Sequence, residues 1–124
     1  MTERFVKIDR SKLCGTLESK GFSVDPDARG ELVYVRQHHI DPTMFVKIYT
    51  SLPINGADSR GKGEDAIRVL LTFKNPKTGA AGCLFKPSRV YRTGTEDAVI
   101  ERTLERARDA YREANARAAK FKNK

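Results

Sequence analysis

The segment Ala66–Lys74, AIRVLLTFK, decides the fold. Ile67, Val69, Leu71 and Phe73 alternate with Arg68, Leu70, Thr72 and Lys74, a period of two that belongs to a β-strand with one buried face. Asn75-Pro76-Lys77-Thr78-Gly79 follows with turn chemistry. The chain is therefore expected to fold back into a second strand at Ala81–Lys86, resuming at Arg89–Arg92 beyond Pro87. Upstream, Glu31–Gln37 alternates Leu32, Tyr34 and Arg36 against Val33 and Val35, and Met44–Ser51 is rich in β-branched and aromatic residues. Four strands joined by short links favour antiparallel pairing.

Helices flank this strand region. Asp9 or Ser11 can cap a helix running to about Lys20, with Leu13, Cys14 and Leu17 on one side and Gly21 ending it. Asp25–Gly30 reads as a turn. At the other end Thr95 is a good N-cap, and Glu96 and Asp97 put negative charge where the helix dipole favours it. Ile100, Leu104, Ala107, Tyr111, Ala114, Ala118 and Phe121 repeat at steps of four and three, one apolar stripe along about six turns. Residues 120–124 are expected to fray. The fold class is α+β: a short N-terminal helix, a four-stranded antiparallel sheet, and a long C-terminal helix packed on one sheet face. Residues 1–124 are expected to form a single domain.

The 124 residues are 39% hydrophobic and 32% charged, a globular composition. No apolar run approaches the roughly 20 residues that span a bilayer, and MTERFVKIDR has no signal-peptide core. A cytoplasmic or nucleoid-associated protein, not a secreted one, is expected. Cys14 and Cys83 are far apart in sequence without a CxxC motif, and two buried free thiols are expected.

The net charge of +8 is unevenly spread. Residues 1–43 hold seven basic and seven acidic groups, residues 44–65 three and three, and residues 95–124 eight and six. Between 66 and 94 lie Arg68, Lys74, Lys77, Lys86, Arg89 and Arg92 with no Asp or Glu, which contributes +6. Charge concentrated on one unit points to a polyanionic partner.

Alternation sorts the strand residues onto two faces. If Val33, Val35, Val46, Ile48, Ile67, Val69 and Leu71 face the helix, the other face receives Tyr34, Arg36, Phe45, Lys47, Tyr49, Arg68, Thr72 and Lys74. Lys86, Arg89, Tyr91 and Arg92 lie nearby, on a strand whose register Pro87 interrupts. Aromatics interleaved with cations suit single-stranded DNA or RNA: bases stack on rings at about 1–3 kcal/mol each while cations follow the phosphates. The same residues are also ordinary on a half-exposed sheet.

Between the second and third strands, Leu52–Asp65 is long and glycine-rich, and Arg60 and Lys62 could reach a phosphate backbone. Gly56–Lys62 matches GxxxxGK, but Gly63 follows where a P-loop has Ser or Thr, and a strand follows where it has a helix. His38 and His39 are neighbours expected to point to opposite faces, so no metal site is read there. Glu64 and Asp65 with Glu96 and Asp97 form the best carboxylate set for a metal-dependent nuclease, the third-ranked function. No signature calls for a cofactor, and the enzyme reading leans to no.

The element order over residues 31–119 resembles two groups that grip single strands. One is the single-strand-binding transcriptional coactivators, built on a curved four-stranded sheet and a long helix. The other is the annealing core of recombination-type strand-annealing proteins. The coactivator resemblance implies dimerisation through the helix, which Ala107, Ala114 and Ala118 would permit. The leading expectation is a non-catalytic single-stranded nucleic-acid-binding protein. The alternative is a protein-interaction or accessory-subunit module.

Overall fold

The computed structural model describes residues 6, 8–26, 31–53 and 66–122, with positions 51, 53, 85, 86, 121 and 122 described by backbone alone. Its elements in chain order are α1 (Arg10–Ser19), β1 (Ser23–Val24), β2 (Glu31–Gln37), β3 (Met44–Pro53), β4 (Ala66–Lys74), β5 (Ala81–Tyr91) and α2 (Glu96–Lys122). The α+β architecture is as the alternation and the helical stripe predict. The sheet has five strands, not four, in the order β1-β2-β3-β4-β5 with every neighbouring pair antiparallel. The added strand, β1, pairs Ser23 with Val35 and Val24 with Tyr34, too short to carry a period in the sequence. Strand β3 runs on through Pro53, so Leu52 and Pro53 belong to the strand and not to the loop. Strand β5 is continuous through Pro87, with register shifts opposite Val69, Leu71 and Thr72. Helix α2 continues to Lys122, past the position where fraying is expected.

Cross-strand partners share a face, so the register fixes what lies inside. Tyr34 pairs with Ile48 and Ile48 with Val69; Arg36 pairs with Val46 and Val46 with Leu71. Val46, Ile48, Ile67, Val69 and Leu71 are all essentially buried, in one core with Leu13 and Leu17 of α1 and Val99, Ala110 and Ala114 of α2. Both helices therefore cover the same side of the sheet. The alanine stripe expected to permit dimerisation lies against the protein's own sheet, with Ala107, Ala114 and Ala118 buried.

Local chemistry sets the helix ends. Asp9 caps α1, its Oδ1 accepting from the Ser11 and Lys12 amides at 2.9 and 3.4 Å. Thr95 Oγ1 accepts from the Ala98 amide at 3.1 Å and caps α2. The two N-termini are tied together, since Lys12 pairs with both Asp97 and Glu96 and the Asp9 amide donates to Glu96 Oε2. Asp97, hydrogen-bonded to the exposed Lys12 ammonium, holds its pKa above the usual lysine value. Helix α1 ends in a Schellman arrangement: the Gly21 amide donates to the Glu18 carbonyl and the Phe22 amide to the Leu17 carbonyl. Gly21 has φ +91°, and Phe22 and Leu17 both enter the core.

Among the described residues no helix is long and apolar enough to cross a membrane. Cys14 and Cys83 are thiols outside any disulfide, but Cys14 is half-buried and Cys83 exposed, which corrects the expectation of two buried thiols.

A left-handed residue bearing a side chain costs about 1–2 kcal/mol. At Gly21 an added Cβ would also lie 3.4 Å from Arg36 Nε. Gly21→Ala is expected to destabilise the protein by about 1–2 kcal/mol in urea unfolding; an unchanged midpoint would contradict the Schellman geometry.

Candidate nucleic-acid interface

The sheet face turned away from the helices is built by register. One cross-strand row runs Val33, Tyr49, Arg68 and Arg89; a second runs Val35, Lys47 and Leu70; a third runs Phe45, Thr72 and Cys83. Lys74 and Tyr91 stand at opposite ends of the β4–β5 pair, opposite Ala81 and Ala66. Among the described residues no helix lies on this face, and Lys74, Arg89 and Tyr91 are exposed, Tyr91 at 49%. A groove of about 530 Å³ crosses it, with Val35, Phe45 and Leu70 as its apolar part and Lys47 and Lys74 as its cations.

The charges on this face are not all unopposed. The Arg68 guanidinium lies 4.9 Å from the centre of the Tyr49 ring, a cation–π contact, and pairs with Glu31. Lys47 Nζ is 3.3 Å from Asp25 Oδ2. Two cations the sequence places on the face thus already hold carboxylates from the β1–β2 side.

Three candidate residues lie elsewhere. Tyr34 and Arg36 are on the helix side, because β2 has apolar residues at both parities and pairing with Ile48 and Val46 turns the even-numbered set inward. Tyr34 is 2% exposed, and its hydroxyl donates to Glu18 Oε1 at 3.4 Å. Burial pushes its phenol pKa up, with Cys14 and Glu18 adding to the shift. Val33 and Val35 correspondingly belong to the helix-free face, and Val33 lies outside the main core. Arg92 is only 1% exposed and sits just beyond β5, where its carbonyl accepts the Val6 amide. It is therefore removed from the set of surface cations. The backbone of Lys86 lies in β5, whereas Arg60 and Lys62 lie outside the described residues.

The +6 segment consequently does not converge on one surface. Arg68 and Arg89 are register partners, Lys74 lies beyond them, Lys77 is in the exposed β4–β5 turn, and Arg92 is in the interior.

A second basic cluster on the helical side was not expected from charge counting. Arg36 lies over Tyr111 at 4.5 Å, and Lys20, Arg108 and Arg112 line the same cleft. Its sequence signal was the spacing of Arg108 and Arg112 around Tyr111 on α2, hidden because neighbouring acids leave that segment nearly neutral.

The histidines also differ from their expected placement. Both follow the last residue of β2, so strand alternation no longer applies. His38 and His39 each pack near the Tyr111 ring, with centroids at 5.1 and 5.8 Å. His38 Nδ1 accepts the Ile40 and Asp41 amides at 3.2 and 3.0 Å. The ring proton therefore sits on Nε2, which donates to Asn115 Oδ1 at 2.7 Å. His38 is a buried, fully engaged bracket between the β2–β3 turn and α2.

Of the carboxylates considered for a nuclease, Glu64 and Asp65 lie outside the described residues, while Glu96 and Asp97 hold Lys12 and the Asp9 amide. Among the described residues no group of three or more His, Cys, Asp or Glu gathers to hold a metal.

No protein-family model, curated protein or solved structure matches the chain. The likeness to single-strand binders rests on element order alone.

Removing the His38 ring leaves two turn amides and Asn115 without this partner. His38→Ala is expected to cost about 1–3 kcal/mol of stability in chemical denaturation. An unchanged stability would show that the bracket carries no weight.

Proposed function

We propose that this protein binds single-stranded nucleic acid on the helix-free face of its sheet. The supporting observation is the cross-strand row Tyr49–Arg68–Arg89, with exposed Tyr91 two residues beyond Arg89 on β5 and so on the same face. Aromatic rings and cations alternate there on a surface bounded by strands, where unpaired bases can lie flat and phosphates can meet guanidinium groups. A guanidinium plane can itself stack against a base, so Arg68 over Tyr49 is a stacking element as well as a charge. A duplex fits the face less well, because base edges in a groove are usually reached by a helix or a ribbon.

Binding on this face exchanges partners. Arg68 leaves Glu31 and Lys47 leaves Asp25 to meet phosphates, which costs part of the electrostatic gain. Exposed Lys74 and Arg89 bear most of the attraction. The apolar part of the groove, Val35, Phe45 and Leu70, favours a protein segment as the second reading.

Fluorescence anisotropy with labelled single- and double-stranded oligonucleotides across a salt series separates the two readings. Single strands are expected to bind more tightly than duplex, with a log–log salt slope of about −0.7 per phosphate contact. Lys74→Glu/Arg89→Glu is expected to weaken binding by at least about tenfold and to flatten the slope. Tyr91→Ala is expected to lose about 1–3 kcal/mol. Binding that ignores salt, or that survives the double charge reversal, overturns the proposal.

A further inference from the structure

We infer that the cleft between the C-terminal end of α1 and the middle of α2 is a binding site for a phosphate dianion, the end group of a phosphomonoester. The cleft has a volume of about 260 Å³ and is lined by Lys20, Arg36, Arg108 and Arg112 around Tyr111 and Phe22. Its lining contains no carboxylate among the described residues. Asp109 reaches one arm of Arg112 at 3.7 Å, an exposed pair across one helical turn. Four cations drawn together repel one another, and an anion seated among them reverses the sign of that interaction.

The site is organised before any ligand arrives. Arg36 comes from β2, and its guanidinium lies 4.5 Å above the Tyr111 ring. The Tyr111 hydroxyl accepts the His39 amide at 3.3 Å and shares a second hydrogen bond with His39 Nδ1 at 2.6 Å, which fixes the ring. On the other side Arg36 runs beneath Gly21, where a Cβ would lie 3.4 Å from its Nε. Arg36 is half-buried, and no carboxylate among the described residues pairs with it. A planar guanidinium held in this way loses little freedom on meeting an oxyanion.

The end of α1 nearby does not oppose an anion strongly. Its Leu17 and Glu18 carbonyls are already taken by the amides of Lys20, Gly21 and Phe22. Phe22 and Ala107 make part of the wall apolar, which strengthens charge-assisted hydrogen bonds inside the cleft. The volume falls below the roughly 300–1,000 Å³ typical of drug-sized ligands and suits a small anion or end group. Four cations match a dianion better than a singly charged carboxylate or an internal phosphodiester.

Isothermal titration with inorganic phosphate at fixed ionic strength tests the site, with acetate as the singly charged control. Saturable binding is expected for phosphate and much weaker binding for acetate. Arg108 and Arg112 are exposed, so Arg108→Gln/Arg112→Gln spares the core and is expected to weaken phosphate binding at least about tenfold. Lys77→Gln/Lys120→Gln removes the same charge elsewhere and is expected to retain it, as is the sheet variant Lys74→Glu/Arg89→Glu. Competition by a 5′-phosphorylated dinucleotide, but not by its 5′-hydroxyl form, places the phosphate on a nucleic-acid end. Saturable phosphate binding without that competition indicates a small phosphorylated molecule. Non-saturable binding, equal affinity for acetate, or full retention in Arg108→Gln/Arg112→Gln overturns the inference. The site uses no residue of the helix-free face, so a failure of single-strand binding there leaves these outcomes unaffected.

Discussion

The register between β3 and β4 is the constraint on which the rest depends. Val46 sits opposite Leu71 and Ile48 opposite Val69, so four aliphatic side chains enter one layer together. Burying each contributes about 1.5–3 kcal/mol. A slip of one residue would turn Lys47, Tyr49 and Arg68 inward in their place and expose that layer to water. Once this pairing is set, α1 and α2 have one apolar surface to cover, and both settle on it. The same alternation leaves the opposite surface to a mixture of cations, aromatic rings and a few aliphatic side chains, Val33, Val35 and Leu70 among them.

How much of this was legible in the sequence varied with the strength of each local period. The bounds of β2 and β4 follow from the sequence alone, and the Asp9 and Thr95 caps anchor the helix starts. The face of β2 does not follow, because Leu32, Tyr34 and Val33, Val35 are apolar at both parities and only the partner strand can choose. β1 is held by tertiary pairing, and its two residues, between Gly21 and the turn that begins at Asp25, are too few to show a period. In β5 the register shifts near Pro87 spoil simple counting beyond it, and Arg92 finishes in the interior. The His38–His39 pair escapes alternation by lying one and two steps past the strand end.

The distribution of charge shows a similar gap between counting and geometry. Acid-free sequence from 66 to 94 becomes partly neutralised in space, since Glu31 from another strand reaches Arg68. Conversely, the nearly balanced sequence of α2 and the neutral N-terminal third together present Lys20, Arg36, Arg108 and Arg112 around one cleft. Local electrostatic potential depends on which chains of charge the fold brings together, and linear charge density is a poor guide to it.

The two borders of the sheet have a consequence for association. At one border β1 offers only two residues of backbone, and at the other β5 includes Pro87, which has no amide hydrogen to give. A foreign strand extending the sheet needs a long, regular run of unpaired donors and acceptors. Among the described residues neither border supplies one. The five strands can thus expose a broad surface for a ligand while giving aggregation by strand addition little to grow on.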